Sequence, residues 1–203
     1  MLSAPRTLSG TRLTLDEYLA DAESRFWRTD PSGTWKLERQ QSFRELDNPS
    51  WEASDRGDWA QAIALLQQGR DSVREYRQKA RDHGFDSHRV RVVEKPYSPY
   101  LVWELNSLLI RHELGERIRV LPTSCLLSVE TRQPLPEILA LGTKVVYRII
   151  YDHTGLAEAA IRSTDPDTVR SWADFIRHLH ERAENLPEFF AREIAGLRPA
   201  HTS

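Results

Sequence analysis

Two short segments of the chain alternate polar with apolar residues, and an amphipathic segment lies between them. Residues 89–93 (RVRVV) and 117–121 (RIRVL) have the period of two that is typical of strands with one buried face. Between them, Ser98 can cap a helix and Gly115 can end it. This pattern predicts parallel neighbouring strands joined by a helix over residues 99–113. The helix is expected to cover one apolar face, formed by Val90, Val92, Ile118 and Val120.

The other periodic segments predict further strands and helices around this unit. Strands are expected over residues 35–39, 138–141, 144–151 and 157–163, and the tight link at 152–155 makes the last two a hairpin. Helices are expected over residues 15–23 and 59–81 and from residue 165 onward, with a shorter amphipathic segment after Pro187.

The order of these elements predicts an α/β fold, with α+β as the alternative class. Its mixed sheet contains the parallel βαβ unit and the C-terminal hairpin, and helices pack against it. No shift in composition marks a second domain, so residues 13–197 are expected to form a single domain. Residues 1–12 and 198–203 are predicted to be flexible termini.

The overall charge limits the classes of partner. A chain of 203 residues with a formal net charge of -2 and an isoelectric point near 6.4 is not expected to coat nucleic acid or an anionic membrane. No segment approaches the roughly 20 apolar residues of a membrane span, so a cytoplasmic protein is predicted. The lone Cys125 cannot form a disulfide framework within the chain and is predicted to be a buried thiol.

Arginines occupy the polar positions of the two alternating segments. If the strands are adjacent, Arg89, Arg91, Arg117 and Arg119 form one surface. Because arginine stays charged, any buried part of that surface needs carboxylates or a bound anion. A layer of arginine–carboxylate pairs is one interpretation, and the acidic balance of the chain favours it. A nucleic-acid surface is the other, since arginines near aromatic residues can hold phosphates and stacked bases.

A small anionic ligand is a further hypothesis for the same region. The Ser98 hydroxyl and the first amides of the following helix would attract an anion, and ligands favour the carboxyl ends of parallel strands. No catalytic motif is found, so no catalytic residue is assigned, and no cofactor is predicted. No metal site is predicted, because His178 and His180 are two apart and point in different directions on a helix. The candidate ligand-binding residues are Glu38, Arg39, Arg89, Arg91, Glu94, Tyr97, Ser98, Tyr100, Glu104 and Arg119.

The C-terminal amphipathic segment is the candidate surface for a protein partner. Phe189, Phe190 and Ile194 would form its apolar face. The same residues could instead pack beneath the last helix, and the pattern alone leaves both alternatives open.

Several strings of the chain resemble a family of unknown function. They are WKLERQQSF (35–43), NPSWEASDRGDWAQAI (48–63), RVRVVEKPYSPYLVWEL (89–105), GERIRVLP (115–122), VVYRIIYDHTG (145–155) and TDP (164–166). Together they look like an actinobacterial family, the domain of unknown function 6879 family. Members resemble accessory proteins found beside helix-turn-helix regulators. The resemblance implies a non-catalytic regulatory or interaction module whose protein partner is a cytoplasmic transcriptional regulator.

The order of elements is also similar to that of the phospholipase D-like domain. In that domain a hairpin strand carries a catalytic His-x-Lys pair, whereas residues 142–147 here read GTKVVY. This resemblance therefore concerns the fold and not a phosphodiesterase activity. An enzyme or sensor for a small anionic ligand near Ser98 stays the first alternative function, and nucleic-acid binding through the arginine face stays the second.

Overall fold

The computed structural model describes residues 4–5, 7–131 and 133–199. Its strands are β1 (Thr11–Thr14), β2 (Thr34–Glu38), β3 (Ser87–Val93), β4 (Arg117–Pro122), β5 (Glu137–Leu141), β6 (Val145–Tyr151), β7 (Ala157–Ser163) and β8 (Glu184–Asn185). Its helices are α1 (Leu15–Phe26), α2 (Pro49–Asp55), α3 (Trp59–Gln68), α4 (Arg70–Asp82), α5 (Pro99–Glu113), α6 (Pro166–Arg182) and α7 (Leu186–Glu193), with a 3-10 helix at Thr123–Leu126. None of these described helices combines the length and the apolar character that crossing a bilayer requires.

The strands form one sheet that is parallel at β2, β3 and β4 and antiparallel elsewhere. Their order across the sheet is β1-β7-β6-β5-β2-β3-β4-β8. Strands β3 and β4 are parallel neighbours joined through α5, and β6 and β7 form an antiparallel hairpin. Both of these predictions are confirmed, and the fold is the expected mixed α/β domain.

The helix signals of the sequence act largely as expected. Ser98 caps α5, because its Oγ accepts a hydrogen bond from the Leu101 N–H at 3.0 Å. Gly115 follows α5 with a φ of 107°, a conformation that glycine adopts without steric strain. The single long helix predicted over residues 59–81 is instead the pair α3 and α4, which meet at Gly69. Glycine favours such a break because it weakens a helix interior.

The two faces of the sheet are covered by different helices. Val90 and Val92 of β3 lie in the core beneath α6. Ile118 and Val120 of β4 lie on the opposite face, in the core with α5 and α7. The prediction that one helix covers all four residues is therefore wrong for Val90 and Val92.

The register between β3 and β4 explains this difference and separates the four arginines. Arg89 pairs with Ile118 across the two strands, and paired residues of neighbouring strands point to the same face. The arginines of β3 therefore share the face of α5, whereas those of β4 share the face of α6. The predicted four-arginine surface is not formed. Alternation within each strand does not fix the register between two strands.

Some short elements do not follow from the sequence pattern. Strand β1 starts at Thr11 and pairs with β7, so residues 11 and 12 belong to the sheet and not to a flexible terminus. The sequence pattern also does not predict α2 and β8. Cys125 lies in the 3-10 helix and is exposed, which corrects its predicted burial. Residues 1–3, 6 and 200–203 of the predicted flexible termini lie outside the described residues.

The C-terminal segment contributes to the core. Phe189 and Ile194 are 2% and 1% exposed and pack with residues of α5 and β4, while Phe190 is half-buried against the same core. Strand β8 pairs with β4 directly before α7 and holds this helix against the sheet. Phe189 and Ile194 therefore offer no exposed face to a partner, which corrects that prediction. An amphipathic pattern marks a covered face without identifying what covers it.

Candidate functional site

A cleft opens over β2 and β3 on the face of the sheet that carries α1 and α5. Its outer lobe has a volume of about 640 Å³ and lies between α1 and α4. Its inner lobe has a volume of about 450 Å³ and lies between α5 and the β6–β7 hairpin. Lys36, Arg89 and Arg111 line both lobes, which we together call the central cleft. Volumes of about 300–1,000 Å³ are typical of small-molecule sites.

The two lobes lie at opposite ends of the parallel strands. Thr34 and Ser87, the first residues of β2 and β3, line the outer lobe. Glu38, the last residue of β2, lines the inner lobe. The inner lobe therefore lies at the carboxyl end of β2, the usual ligand position in open α/β sheets, whereas Arg77 lines only the outer lobe.

Charged side chains on neighbouring strands are linked by ion pairs along the floor of the cleft. Lys36 Nζ and Arg89 Nη1 each lie 2.6 Å from Glu38 Oε1. Arg89 Nε lies 2.8 Å from Glu116 Oε1. Lys36 and Arg89 are paired residues of β2 and β3, which explains how they reach the same carboxylate.

The second oxygen of Glu116 faces two further arginines on helices. Arg111 Nη1 of α5 lies 3.3 Å from Glu116 Oε2, and Arg77 Nη1 of α4 lies 3.7 Å from it. These contacts join helices and strands into one network, which we call the ion-pair chain. The ion-pair chain consists of Lys36, Glu38, Arg77, Arg89, Arg111 and Glu116.

The ion-pair chain carries more positive than negative charge. Its described residues supply four cations and two carboxylates. Arg77 is the least satisfied of the cations, because its side chain is 6% exposed and its Nε has no hydrogen-bond partner among the described residues. Glu23 also lines the outer lobe but makes none of these ion pairs. Buried guanidinium groups normally have complete sets of hydrogen-bond partners, so the incomplete set of Arg77 is unusual.

The electrostatics of the ion-pair chain keep both of its carboxylates ionised. Burial alone raises the pKa of Glu116, but the charges of Arg89, Arg111 and Arg77 outweigh burial and lower the pKa to about 2. Burial likewise opposes ionisation of Glu38, and the charges of Arg89 and Lys36 outweigh it, so the pKa of Glu38 is lowered. Burial also lowers the pKa of Arg77, against the opposing effect of Glu116. A further negative charge near Arg77 would therefore stabilise its charged form.

Aromatic side chains form one wall of the outer lobe. Phe26 and Trp27 at the end of α1 contact Tyr76 of α4, with ring centroids 5.5 Å and 5.0 Å apart. All three line the lobe, and Tyr76 is 40% exposed. The Arg77 guanidinium carbon lies 4.8 Å from the centroid of the Tyr76 ring. The aromatic wall therefore adjoins Arg77, which we call the cationic end of the ion-pair chain.

The inner lobe is more polar and lies against a second buried ion pair. Arg91 is completely buried, and its Nε lies 2.7 Å from Glu104 Oε2. The Tyr100 hydroxyl donates a hydrogen bond of 2.7 Å to Glu45. Behind these residues, Glu137 accepts hydrogen bonds from the main-chain N–H groups of residues 39 and 40. Burial and the nearby charge of Glu38 raise the pKa of Glu137 to about 7.

The structure brings four of the sequence-predicted ligand residues to the central cleft. They are Glu38, Arg89, Tyr100 and Glu104, all of which line the inner lobe. Arg91 lies directly beneath them, bound to Glu104. The expectation that arginines of this region find carboxylates is confirmed for Arg89 and Arg91.

The remaining predicted ligand residues lie elsewhere and are held by other groups. Arg39 donates two hydrogen bonds to Glu130, and Tyr97 donates one to Glu193.

Ser98 is not among the residues that line the central cleft. Its Oγ donates a hydrogen bond of 2.6 Å to the Gln41 carbonyl while it caps α5. The neighbouring Glu94 side chain is about half exposed and contacts Arg39 at 3.4 Å.

The two arginines of β4 lie away from the central cleft, on the other face of the sheet. Arg119 donates to the main-chain carbonyls of residues 180, 181 and 183 at the end of α6. Arg117 lies 2.6 Å from Asp86.

Several residues of the cleft do not appear among the sequence-predicted site residues. Arg77 is the most informative of them, because it lies four positions after Val73 and three before Ala80 on the apolar stripe of α4. A charged residue on the buried side of a helix was the available signal. Lys36 pairs with Glu38, two positions along the same strand, whereas the role of Glu116 depends on Arg77 and Arg89, which are distant in sequence.

The fold and the cleft define a class: a mixed α/β domain with a ligand-sized, charged cleft over the parallel centre of its sheet. The chain belongs to the family described as Domain of unknown function (DUF6879), whose model matches residues 20–191. That range includes every residue of the ion-pair chain. No curated protein and no solved structure matches the chain.

Proposed function

We propose that this domain is a binding module for a small anionic ligand, which it holds in the outer lobe of the central cleft. The observation that carries the proposal is the imbalance of the ion-pair chain, four cations against two carboxylates. A bound anion would supply the missing negative charge beside the Arg77 guanidinium, which lines the lobe and whose buried Nε has no hydrogen-bond partner among the described residues.

The shape of the site favours a small molecule over a polymer. The cations are recessed: Arg77 and Arg89 have side chains that are 6% and 10% exposed. A nucleic-acid backbone requires an open row of phosphate contacts, which recessed guanidinium groups do not provide. Arg111, which is 38% exposed, lies at the accessible edge of the lobe and can adjust to the ligand.

The Arg77→Met variant tests the proposal in solution. Inorganic phosphate and pyrophosphate are titrated calorimetrically into the wild-type protein and into R77M. Methionine keeps most of the buried stem of Arg77 and removes the charge. A hydrogen bond to a charged group contributes about 1.5–3 kcal/mol, so binding should weaken by roughly tenfold or more.

Arg74→Met provides the matched control on the same helix. Arg74 is about half exposed and pairs with Asp71 within α4, away from the cleft lining. The R74M variant should bind phosphate as the wild type does. If neither anion binds the wild type at 10 mM, or if R77M and R74M bind equally well, the proposal is wrong. R111M gives the same readout from a more exposed position of the cleft.

Thermal melting supplies an independent measure of the same binding. A ligand with a Kd near 1 mM stabilises the folded state by about 1.4 kcal/mol at 10 mM. For a domain of this size, that corresponds to roughly 3–6 °C in Tm. R77M without ligand should melt no earlier than wild type, because the substitution removes a cation that the fold leaves partly unpaired.

A regulatory role is the second proposal, and its support is the resemblance to proteins found beside helix-turn-helix regulators. In this proposal the domain acts in the cytoplasm and contacts a transcriptional regulator as a non-catalytic module. Ligand binding in the central cleft would then provide the signal. Co-purification with a helix-turn-helix regulator from the native organism, with and without phosphate, tests this role, and failure to recover one under both conditions would reject it.

A further inference from the structure

We infer that the ligand is an aryl anion, in which a phosphate or carboxylate is attached to a flat aromatic ring. This inference rests on the proposed function and specifies the chemical class of the ligand. It follows from two features that adjoin each other in the outer lobe, the cationic end of the ion-pair chain and the aromatic wall.

The aromatic wall leaves apolar surface open to the cleft. Tyr76 of α4 is 40% exposed, and Leu19 of α1, which lines the same lobe, is 54% exposed. Exposed apolar side chains that line one cleft favour an apolar occupant. A flat ring inserted between α1 and α4 would cover both side chains. Phe26 and Trp27 fix one side of Tyr76 through their ring contacts and so give the wall a defined position.

The spacing of the two features limits how the ring and the anion are connected. The Arg77 guanidinium carbon lies only 4.8 Å from the centroid of the Tyr76 ring. A ligand that contacts both must carry its negative charge within a few bonds of its ring. An aryl phosphate or an aromatic carboxylate meets this condition, whereas an inorganic anion uses the cations alone.

The binding of phenyl phosphate, inorganic phosphate and phenol separates the contribution of the ring from that of the anion. Each compound is titrated calorimetrically into the wild-type protein at the same pH and ionic strength. Ring stacking should make phenyl phosphate bind about five- to tenfold more tightly than inorganic phosphate. Phenol should bind more weakly than phenyl phosphate, because it lacks the charge that Arg77 contacts.

Tyr76→Leu assigns this preference to the aromatic wall. The Y76L variant should bind inorganic phosphate as the wild type does and should lose the preference for phenyl phosphate. Tyr97→Leu is the matched control, since Tyr97 is a partly buried tyrosine that packs with the core of α5 and α7 outside the cleft. If Y76L melts well below wild type, L19S gives a second measure from another exposed apolar side chain of the outer lobe.

The outcomes separate this inference from the proposed function. If inorganic phosphate binds but phenyl phosphate binds no more tightly, the aryl inference is wrong and the anion site stands. The inference also fails if Y76L and L19S keep the full preference. If neither phosphate nor phenyl phosphate binds, the proposed function fails together with the inference.

Discussion

Replacing Arg91 with methionine should destabilise the domain strongly, because it leaves a buried carboxylate without its partner. Arg91 is completely buried, and its Nε lies 2.7 Å from Glu104 Oε2. Its Nη1 also donates to the main-chain carbonyl of Val92 at 2.9 Å. Glu104 is itself 6% exposed, so water can replace only a small part of what the lost guanidinium provides.

The expected magnitude follows from the burial of both partners. Breaking a buried ion pair by removing one partner reduces the free energy of unfolding by about 3–5 kcal/mol. For a domain of about 200 residues, each kcal/mol corresponds to about 2–4 °C, so Tm should fall by about 6–20 °C. Equilibrium urea denaturation measures the free energy, and agreement between fluorescence and circular dichroism tests for two-state unfolding.

Two comparisons separate the buried pair from a general effect of losing an arginine. The exposed pair of Arg74 and Asp71 should contribute less than about 1 kcal/mol, so R74M should unfold like wild type. The double variant R91M/E104L removes both charges and should recover much of the lost stability. An R91M protein within 1 kcal/mol of wild type would show that the pair is not buried as described.

Two further substitutions test other parts of the structure. Phe189→Ser should lower the free energy of unfolding by about 3–5 kcal/mol, because Phe189 is 2% exposed in the core, and an unchanged value would return it to a partner surface. Glu137 has a pKa near 7 in the folded protein, so the folded state binds its proton more tightly than the unfolded state. The contribution of Glu137 to the free energy of unfolding should fall by up to about 3 kcal/mol as the pH rises from about 4.5 to 7. The free energy of unfolding of wild type and of E137Q is measured against pH, and the difference between the two curves isolates the contribution of Glu137. Identical pH dependence in the two proteins would contradict the prediction.

Local signals in the sequence were sufficient for much of the fold. The alternation in β3 and β4 and the caps of α5 lie within a few residues of the elements they specify, and all three elements form as predicted. Gly69 marked the weak point at which α3 and α4 separate. Strand β1 has four residues and β8 has two, which is too short for periodicity to identify.

The candidate site was harder to predict because it depends on register and on distant partners. The alternation placed Arg89 on one face of β3 but did not show that Ile118 shares that face. Glu116 contacts Arg77 of α4, which is 39 positions earlier in the sequence (116 - 77 = 39). The sequence showed that buried arginines would need carboxylates, and only the structure shows that the cations outnumber them in the ion-pair chain.

Nuclear magnetic resonance of the arginine Nε–H groups tests the anion site most directly. Arg77 Nε has no hydrogen-bond partner among the described residues, whereas Arg91 Nε is bound to Glu104. Titration with inorganic phosphate should shift the Arg77 signal saturably, and the R77M spectrum identifies that signal by its loss. The Arg91 signal should stay unchanged. An Arg77 signal that does not move, or that moves no more than that of Arg91, would contradict anion binding in the central cleft.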